Sequence, residues 1–270
     1  MAFQIGTMSI GDILDRGLKL LLGRLPVFYA INLIVLVPII LLQLAFPFLI
    51  AGQTPQFLAL AASGWMLVLI VLTVVLQPLA TAAILYVISQ EFVGNHPGIG
   101  EAFRFAFRRF GLLLGSSILA GLVIMGGMFL CVVPGIIFFI WYVFVAQVVV
   151  VESLGGSGAL SRSKELSVGY RGRLVGLLAL FIGMNIILAT AGGLLNRFLP
   201  SQEFVFTDKG IITIPHHGNQ AIQTLVSQVI SILVQTYNAI CLTLLYFDLR
   251  IRKEGFDLEL AAREQATIIS

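Results

Sequence analysis

The stretch Pro134-Gly135-Ile136-Ile137-Phe138-Phe139-Ile140-Trp141-Tyr142-Val143-Phe144-Val145-Ala146-Gln147-Val148-Val149-Val150-Val151 carries no charge. It meets Glu152, breaks at Leu154-Gly155-Gly156-Ser157-Gly158, and resumes as the mixed segment Ala159-Leu160-Ser161-Arg162-Ser163-Lys164-Glu165-Leu166. Arg171 and Arg173 close that segment, and the chain turns apolar again from Leu174. A helix needs about 20 apolar residues to cross the hydrocarbon of a bilayer. The motif therefore reads as a membrane span, a surface helix and a second span.

The rest of the chain has the same character. Of 270 residues 59% are hydrophobic and 11% charged, with a mean hydropathy of +1.02. A soluble domain carries about 25% charged residues. The class is thus all-α: a polytopic membrane helical bundle, one integral membrane domain over 1–270. A transmembrane barrel alternates apolar and polar residues, whereas these runs are apolar on every side. The net charge of +3 comes from basic residues at segment boundaries, which argues against a nucleic-acid partner. Nothing resembles a cleavable signal peptide: Asp12 and Asp15 come early and the first apolar run is too long.

Working outward, residues 9–24 place Ile10, Ile13, Leu14, Gly17, Leu18 and Leu21 on one helical face and Asp12, Asp15, Arg16 and Lys19 on the other. Ser9 and Asp12 form a capping-box pattern. This is a first surface helix, expected to lie in the membrane interface. From Leu25 to Gln90 no charge appears, enough for two spans with a polar turn at Ala51–Gln56. Pro38 and Pro78 fall inside them. Residues 98–110 form a second amphipathic segment, and 111–151 hold two more spans joined at Cys131-Val132-Val133-Pro134-Gly135. Leu174–Asn196 is the fifth span. A connection follows in which Phe204–Thr207 and Ile211–Ile214 form a small hairpin, with Gly210 at the turn. The sixth span runs from Gln223 to Phe247. Six transmembrane helices in three pseudo-repeats emerge, each repeat preceded by an interfacial helix. The bundle proper spans 25–247 between the segments 1–24 and 248–270.

Of the 16 Lys and Arg residues, all but Arg197 and Lys209 fall in the N-terminal segment, the two later surface segments or the tail. The positive-inside rule places those segments and both termini in the cytoplasm, so the expected location is the bacterial cytoplasmic (inner) membrane.

Candidate chemistry is sparse. No charged residue lies mid-span, which argues against an ion-coupled pump. Thr224, Ser227, Gln228, Ser231, Gln235 and Asn238 share one face of the sixth span: either bundle-core hydrogen bonding or the wall of a polar path. Glu152 is either an acid at the interface or the ion-pair partner of Arg162 or Arg173. His216-His217 in the outer connection makes a poor metal site. Cys131 and Cys241 fall toward opposite faces, so no disulfide is expected. No nucleophile–base set, phosphate loop or metal motif is present, and no cofactor is called for.

Two stretches carry a family resemblance. One is Val151-Glu152 with Ala159–Leu166. The other is Leu245-Tyr246-Phe247-Asp248-Leu249-Arg250-Ile251-Arg252-Lys253-Glu254-Gly255-Phe256-Asp257-Leu258-Glu259. Together they resemble the multi-pass membrane domain fused to bacterial glycerophosphodiester phosphodiesterases, and its stand-alone relatives of unknown function. In fused members the chemistry belongs to a separate barrel of about 250 residues. The sequence runs to Ser270 after its last span, so that barrel is expected to be missing and no enzymatic activity follows. The resemblance implies a membrane module near lipids or lipid-derived substrates. The expected function is a scaffold or accessory module in envelope or lipid homeostasis. Glu152, Arg162, Asp248, Arg250, Arg252 and Glu254 would offer a cytoplasmic contact surface to a membrane or cytoplasmic protein partner. The alternative is a transporter or lipid-handling protein with its path along the sixth span. The oligomeric state is left open.

Overall fold

The computed structural model describes residues 8–49, 55–199, 202–207, 210–215 and 217–254. Among these, the chain forms nine helices and one hairpin: α1 (Ile10–Gly23), α2 (Leu25–Leu49), α3 (Pro55–Phe92), α4 (Ile99–Leu130), α5 (Val132–Trp141), α6 (Val145–Val151), α7 (Ser157–Ser167), α8 (Arg171–Phe198), β1 (Gln202–Thr207), β2 (Gly210–Pro215) and α9 (His217–Glu254). Six helical segments are long and apolar enough to cross a membrane: α2, α3, α4, α5 with α6, α8 and α9. This is a multi-pass membrane protein.

Local chemistry sets several boundaries. At the start of α1 the Asp12 N–H donates to Ser9 Oγ at 3.1 Å, and the Ser9 N–H donates to Asp12 Oδ2 at 2.8 Å. The capping box is therefore complete. The α4–α5 hairpin turns at Cys131 alone. Two glycines make that possible. A Cβ on Gly135 would lie 2.9 Å from the Met128 backbone nitrogen, and one on Gly127 would lie 3.1 Å from Gly135 Cα. Pro134 falls in the first turn of α5, where its missing N–H costs nothing.

Four expectations need revision in detail. The amphipathic segment 98–110 and the third span are one uninterrupted helix, α4; no breaker lies between Phe110 and Gly111, so the apolar stripe simply continues. The fourth span is broken into α5 and α6. The break is held by α7: Ser163 Oγ donates to the Trp141 carbonyl at 2.7 Å and accepts from the Phe144 N–H at 3.2 Å, while Ser167 Oγ reaches the same carbonyl at 3.3 Å. The tail is helical at its start, since α9 runs through Asp248 to Glu254. In the hairpin Gly210 pairs with Thr207 as a strand residue, so the two connecting residues are Asp208 and Lys209, which lie outside the described residues, as do His216 and residues 51–54 of the turn expected at 51–56, whose Pro55 and Gln56 belong to α3.

Packing is uneven along the helices. On α3, Met66, Leu67 and Val71 are exposed, whereas Leu79 to Ile88 are buried on nearly every side. On α9, Ile222, Leu225 and Val229 are exposed, and Leu244 to Leu249 are buried. α6 is enclosed almost throughout, with Val145, Gln147, Val148, Val149 and Val150 buried. The core thus sits at the end of the bundle that carries Met8, Glu91, Glu152 and Glu254, hereafter the charged end. The other end presents apolar side chains outward. At the charged end α1 packs across α9, with Gly17 against Cys241 and the Tyr237 hydroxyl donating to the Leu14 carbonyl at 3.1 Å. Its buried face is Ile13, Gly17, Leu20 and Leu21; Leu18 of the anticipated stripe is exposed.

Candidate functional site

The charged end is organised by three enclosed carboxylates, each where an apolar run ends. Asp248 is the most enclosed, at 0% exposure. Its Oδ1 accepts from the Met8 N–H at 2.7 Å, its Oδ2 accepts from Arg173 at 2.8 Å, and both oxygens lie 3.0–3.1 Å from Arg252 Nε. Arg173 and Arg252 also donate to the Met8 carbonyl. One carboxylate therefore ties the N-terminal segment, α8 and α9 together. A buried carboxylate survives only when paired and hydrogen-bonded, and these donors satisfy both oxygens.

Glu152 lies at the C-terminus of α6. It accepts from the Tyr246 hydroxyl at 2.6 Å and from Arg162 Nε at 2.8 Å. Arg162 reaches further, to Glu165 at 3.1 Å and to Glu254, which in turn accepts from Arg250 at 3.1 Å. Desolvation works against the Arg162 charge. The carboxylates of Glu152, Glu254 and Glu165 outweigh it and push the guanidinium above its ordinary value. Lys253 caps α7 by donating to the Glu165 and Val168 carbonyls.

Glu91, at the end of α3, is the third. Arg24 Nε lies 2.5 Å from its Oε1, an ion pair whose N–H is not aligned on that oxygen, and His96 Nδ1 lies 3.0 Å from its Oε2.

The structure brings together every residue of the anticipated contact surface: Glu152, Arg162, Asp248, Arg250, Arg252 and Glu254. It turns them on one another. Glu152 pairs with Arg162; Arg173, the other candidate partner, goes to Asp248. The sixth-span stripe is not gathered into one cluster. Ser227 Oγ donates to the Thr224 carbonyl of its own helix at 2.9 Å. Gln235 is exposed and meets Gln77 of α3 at 3.4 Å. Gln228 and Ser231 are half-buried, and Asn238 Oδ1 is enclosed without a hydrogen-bond partner. Polar contacts between α2 and α9 come from outside the stripe: the Tyr29 hydroxyl donates to the Val229 carbonyl at 2.8 Å, and Asn32 donates to Thr236 at 3.2 Å.

Sequence reading missed Glu91 with Arg24, the Tyr246 hydroxyl and the Met8 backbone. Glu91 was signalled as the residue that ends the charge-free run begun at Leu25. The Met8 contact spans 240 residues and has no local signature. Cys131 is exposed, Cys241 is buried and both are free. Among the described residues no group of three metal-ligating side chains converges.

Residues 98–249, more than half of the chain, match the model of a domain of unknown function, DUF7847. The chain belongs to the DUF7847 family. The matched DUF7847 region holds Glu152, Arg162, Arg173 and Asp248, the centres of two of the three networks. Arg24, Glu91, Arg252 and Glu254 lie outside it. No curated protein and no solved structure matches the chain.

Proposed function

We propose that this DUF7847 protein is a non-catalytic scaffold or accessory module of the bacterial cytoplasmic membrane, acting in envelope or lipid homeostasis with both termini in the cytoplasm. The observation that carries this reading is the saturation of Asp248 and Glu152. Their oxygens are taken up by donors from several helices, an arrangement suited to holding a shape rather than to exchanging protons. The basic segment boundaries support the orientation. The resemblance to the membrane domain of glycerophosphodiester phosphodiesterases supports a place near lipids, by analogy of fold alone.

The ion pairs also support three repeats. Arg24 opens the first span of the first unit and meets Glu91 at the end of that unit's second span; Arg173 and Asp248 repeat the relation in the third unit. The middle unit departs from it, since Glu152 takes Arg162 from the following helix.

With the inner charges engaged, partner contact falls to exposed ones such as Glu101, Arg104 and Arg108 of α4. A photo-crosslinking residue at Glu101 should give one discrete protein adduct in cells, lost on Arg104→Glu/Arg108→Glu. The same residue at Phe198 should give lipid adducts only. Equal protein adducts at both ends, or none at Glu101, would overturn the scaffold reading.

The transport reading keeps one supporting observation: the Gln77–Gln235 contact and the unpartnered Asn238 Oδ1 place polar groups on the apolar bundle. Replacing Gln228, Gln235 and Asn238 by Leu should then abolish transport in a folded protein.

A further inference from the structure

Besides Lys253, which donates to the Glu165 and Val168 carbonyls, three basic residues lie at the junction of α7 and α8, and they differ in what they face. Arg173 turns inward to Asp248. Lys164 and Arg171 are exposed and converge instead on Trp141 at the end of α5. Lys164 Nζ stands 4.2 Å from the ring centroid and Arg171 Cζ stands 5.9 Å from it. Among the described residues neither cation has a carboxylate within ion-pair distance, and the first turn of α8 contains no acid. Two like charges from separate helices are thus gathered at one indole without a counter-charge.

The surroundings specify the missing partner. α5 and α8 are in contact. Their exposed surface is apolar: Phe139 on α5 two residues before Trp141, Val175 on α8 one turn after Arg171, and Ile182 two turns further along α8 are all exposed. Indole rings favour the headgroup level of a bilayer. What fits is a negative charge carried on an apolar body.

We propose that Lys164, Arg171 and Trp141 hold the phosphate headgroup of an anionic phospholipid, whose chains lie along the exposed face of α5 and α8. Arg171 contributes a planar, always-charged donor fork suited to phosphate, and Lys164 a mobile point charge. The site goes beyond either functional reading above, since it requires only that the protein spans a membrane.

The test uses the full chain in mild detergent. Native mass spectrometry with phosphatidylglycerol and acyl-matched phosphatidylethanolamine should show selective retention of phosphatidylglycerol. A cation beside an anionic headgroup is worth about fivefold in affinity, so Lys164→Gln/Arg171→Gln should weaken retention by about 25-fold. Arg104→Gln/Arg108→Gln should leave it unchanged. Selectivity that survives the first double variant, or that is lost equally in the second, overturns the site. Displacement of the lipid by excess inorganic phosphate also overturns it, because the site would then take a soluble anion. A second measurement needs no change at the site. In a Trp65→Phe background, brominated phosphatidylglycerol should quench Trp141 at a lower mole fraction than brominated phosphatidylcholine; equal quenching refutes the proposal.

Discussion

Replacing Asp248 with Asn keeps the shape of the side chain and removes the charge on which Met8, Arg173 and Arg252 converge. Breaking a buried ion pair from one side costs about 3–5 kcal/mol, because the remaining charge is stranded. Here the stranded groups are not fully enclosed. The side chains of Arg173 and Arg252 are 23% and 28% exposed, so both can recover part of their hydration. The asparagine oxygen still accepts one hydrogen bond, but its amide N–H₂ now faces donors. These considerations place the loss at the low end, about 3 kcal/mol. The control is Asp15→Asn, which breaks the Lys19–Asp15 pair. That pair is 72% and 61% exposed, and such contacts are worth about 0–1 kcal/mol. Equilibrium unfolding in mixed micelles reads both. Limited proteolysis should also cut near Met8 faster in Asp248→Asn, since the carboxylate holds that backbone in place. A double-mutant cycle with Arg173→Ala should show coupling above about 1 kcal/mol. If Asp248→Asn costs no more than Asp15→Asn, the enclosed carboxylate does not organise the charged end and the reasoning fails.

Ser163→Ala should destabilise the fold by about 1–3 kcal/mol. It leaves the Phe144 N–H without its acceptor at the α5–α6 break, and the Trp141 carbonyl keeps only Ser167; the same micelle titration checks this, and a neutral result would mean that the break needs no hydroxyl. Gly135→Ala should cost about 1–3 kcal/mol through overpacking against the Met128 backbone. Gly121→Ala, which meets nothing within 4 Å, should be neutral or slightly stabilising, so a reversed order would refute the hairpin geometry. The Ser9 hydroxyl and backbone N–H hold the Asp12 carboxyl below its usual 3.8. The stability it lends α1 is therefore present above 3.8 and is lost as pH falls through the lowered value. Carboxyl NMR should show the midpoint of Asp12 rise in Ser9→Ala.

The class of the protein and its six spans were legible because hydrophobic run length answers directly to bilayer thickness. The Ser9–Asp12 cap was legible because both partners are three residues apart. The break in the fourth span was not. Nothing in Phe139–Val148 announces it, since the groups that satisfy it, Ser163 and Ser167, arrive from a later helix. The charged end was half legible. Its residues could be named from their position at the ends of apolar runs, but their direction could not. Whether a boundary arginine faces water or an enclosed acid depends on which helices lie side by side, and run length carries no information about neighbours. The polar stripe of α9 shows the same gap: one-face spacing is a property of a single helix, and a shared cavity is a property of several.

The pairing of Met8 with Asp248 bears on how the molecule is made. A ribosome adding about 5–20 residues per second separates the emergence of the two partners, 240 positions apart, by tens of seconds. Throughout that interval Ile13 and Gly17 have no α9 to pack on, Arg24 has no Glu91 until α3 is complete, and the N-terminal helix must shelter its apolar face in some other way. The charged face of α1, with Asp12, Asp15, Arg16 and Lys19, suits it to wait at the membrane surface. α9, made after the other described helices, supplies the side chains on which α1 and the Met8 backbone close. Truncation before Asp248 would leave the chain without that closure, an unfinished product that membrane quality control could recognise by its loose N-terminal helix.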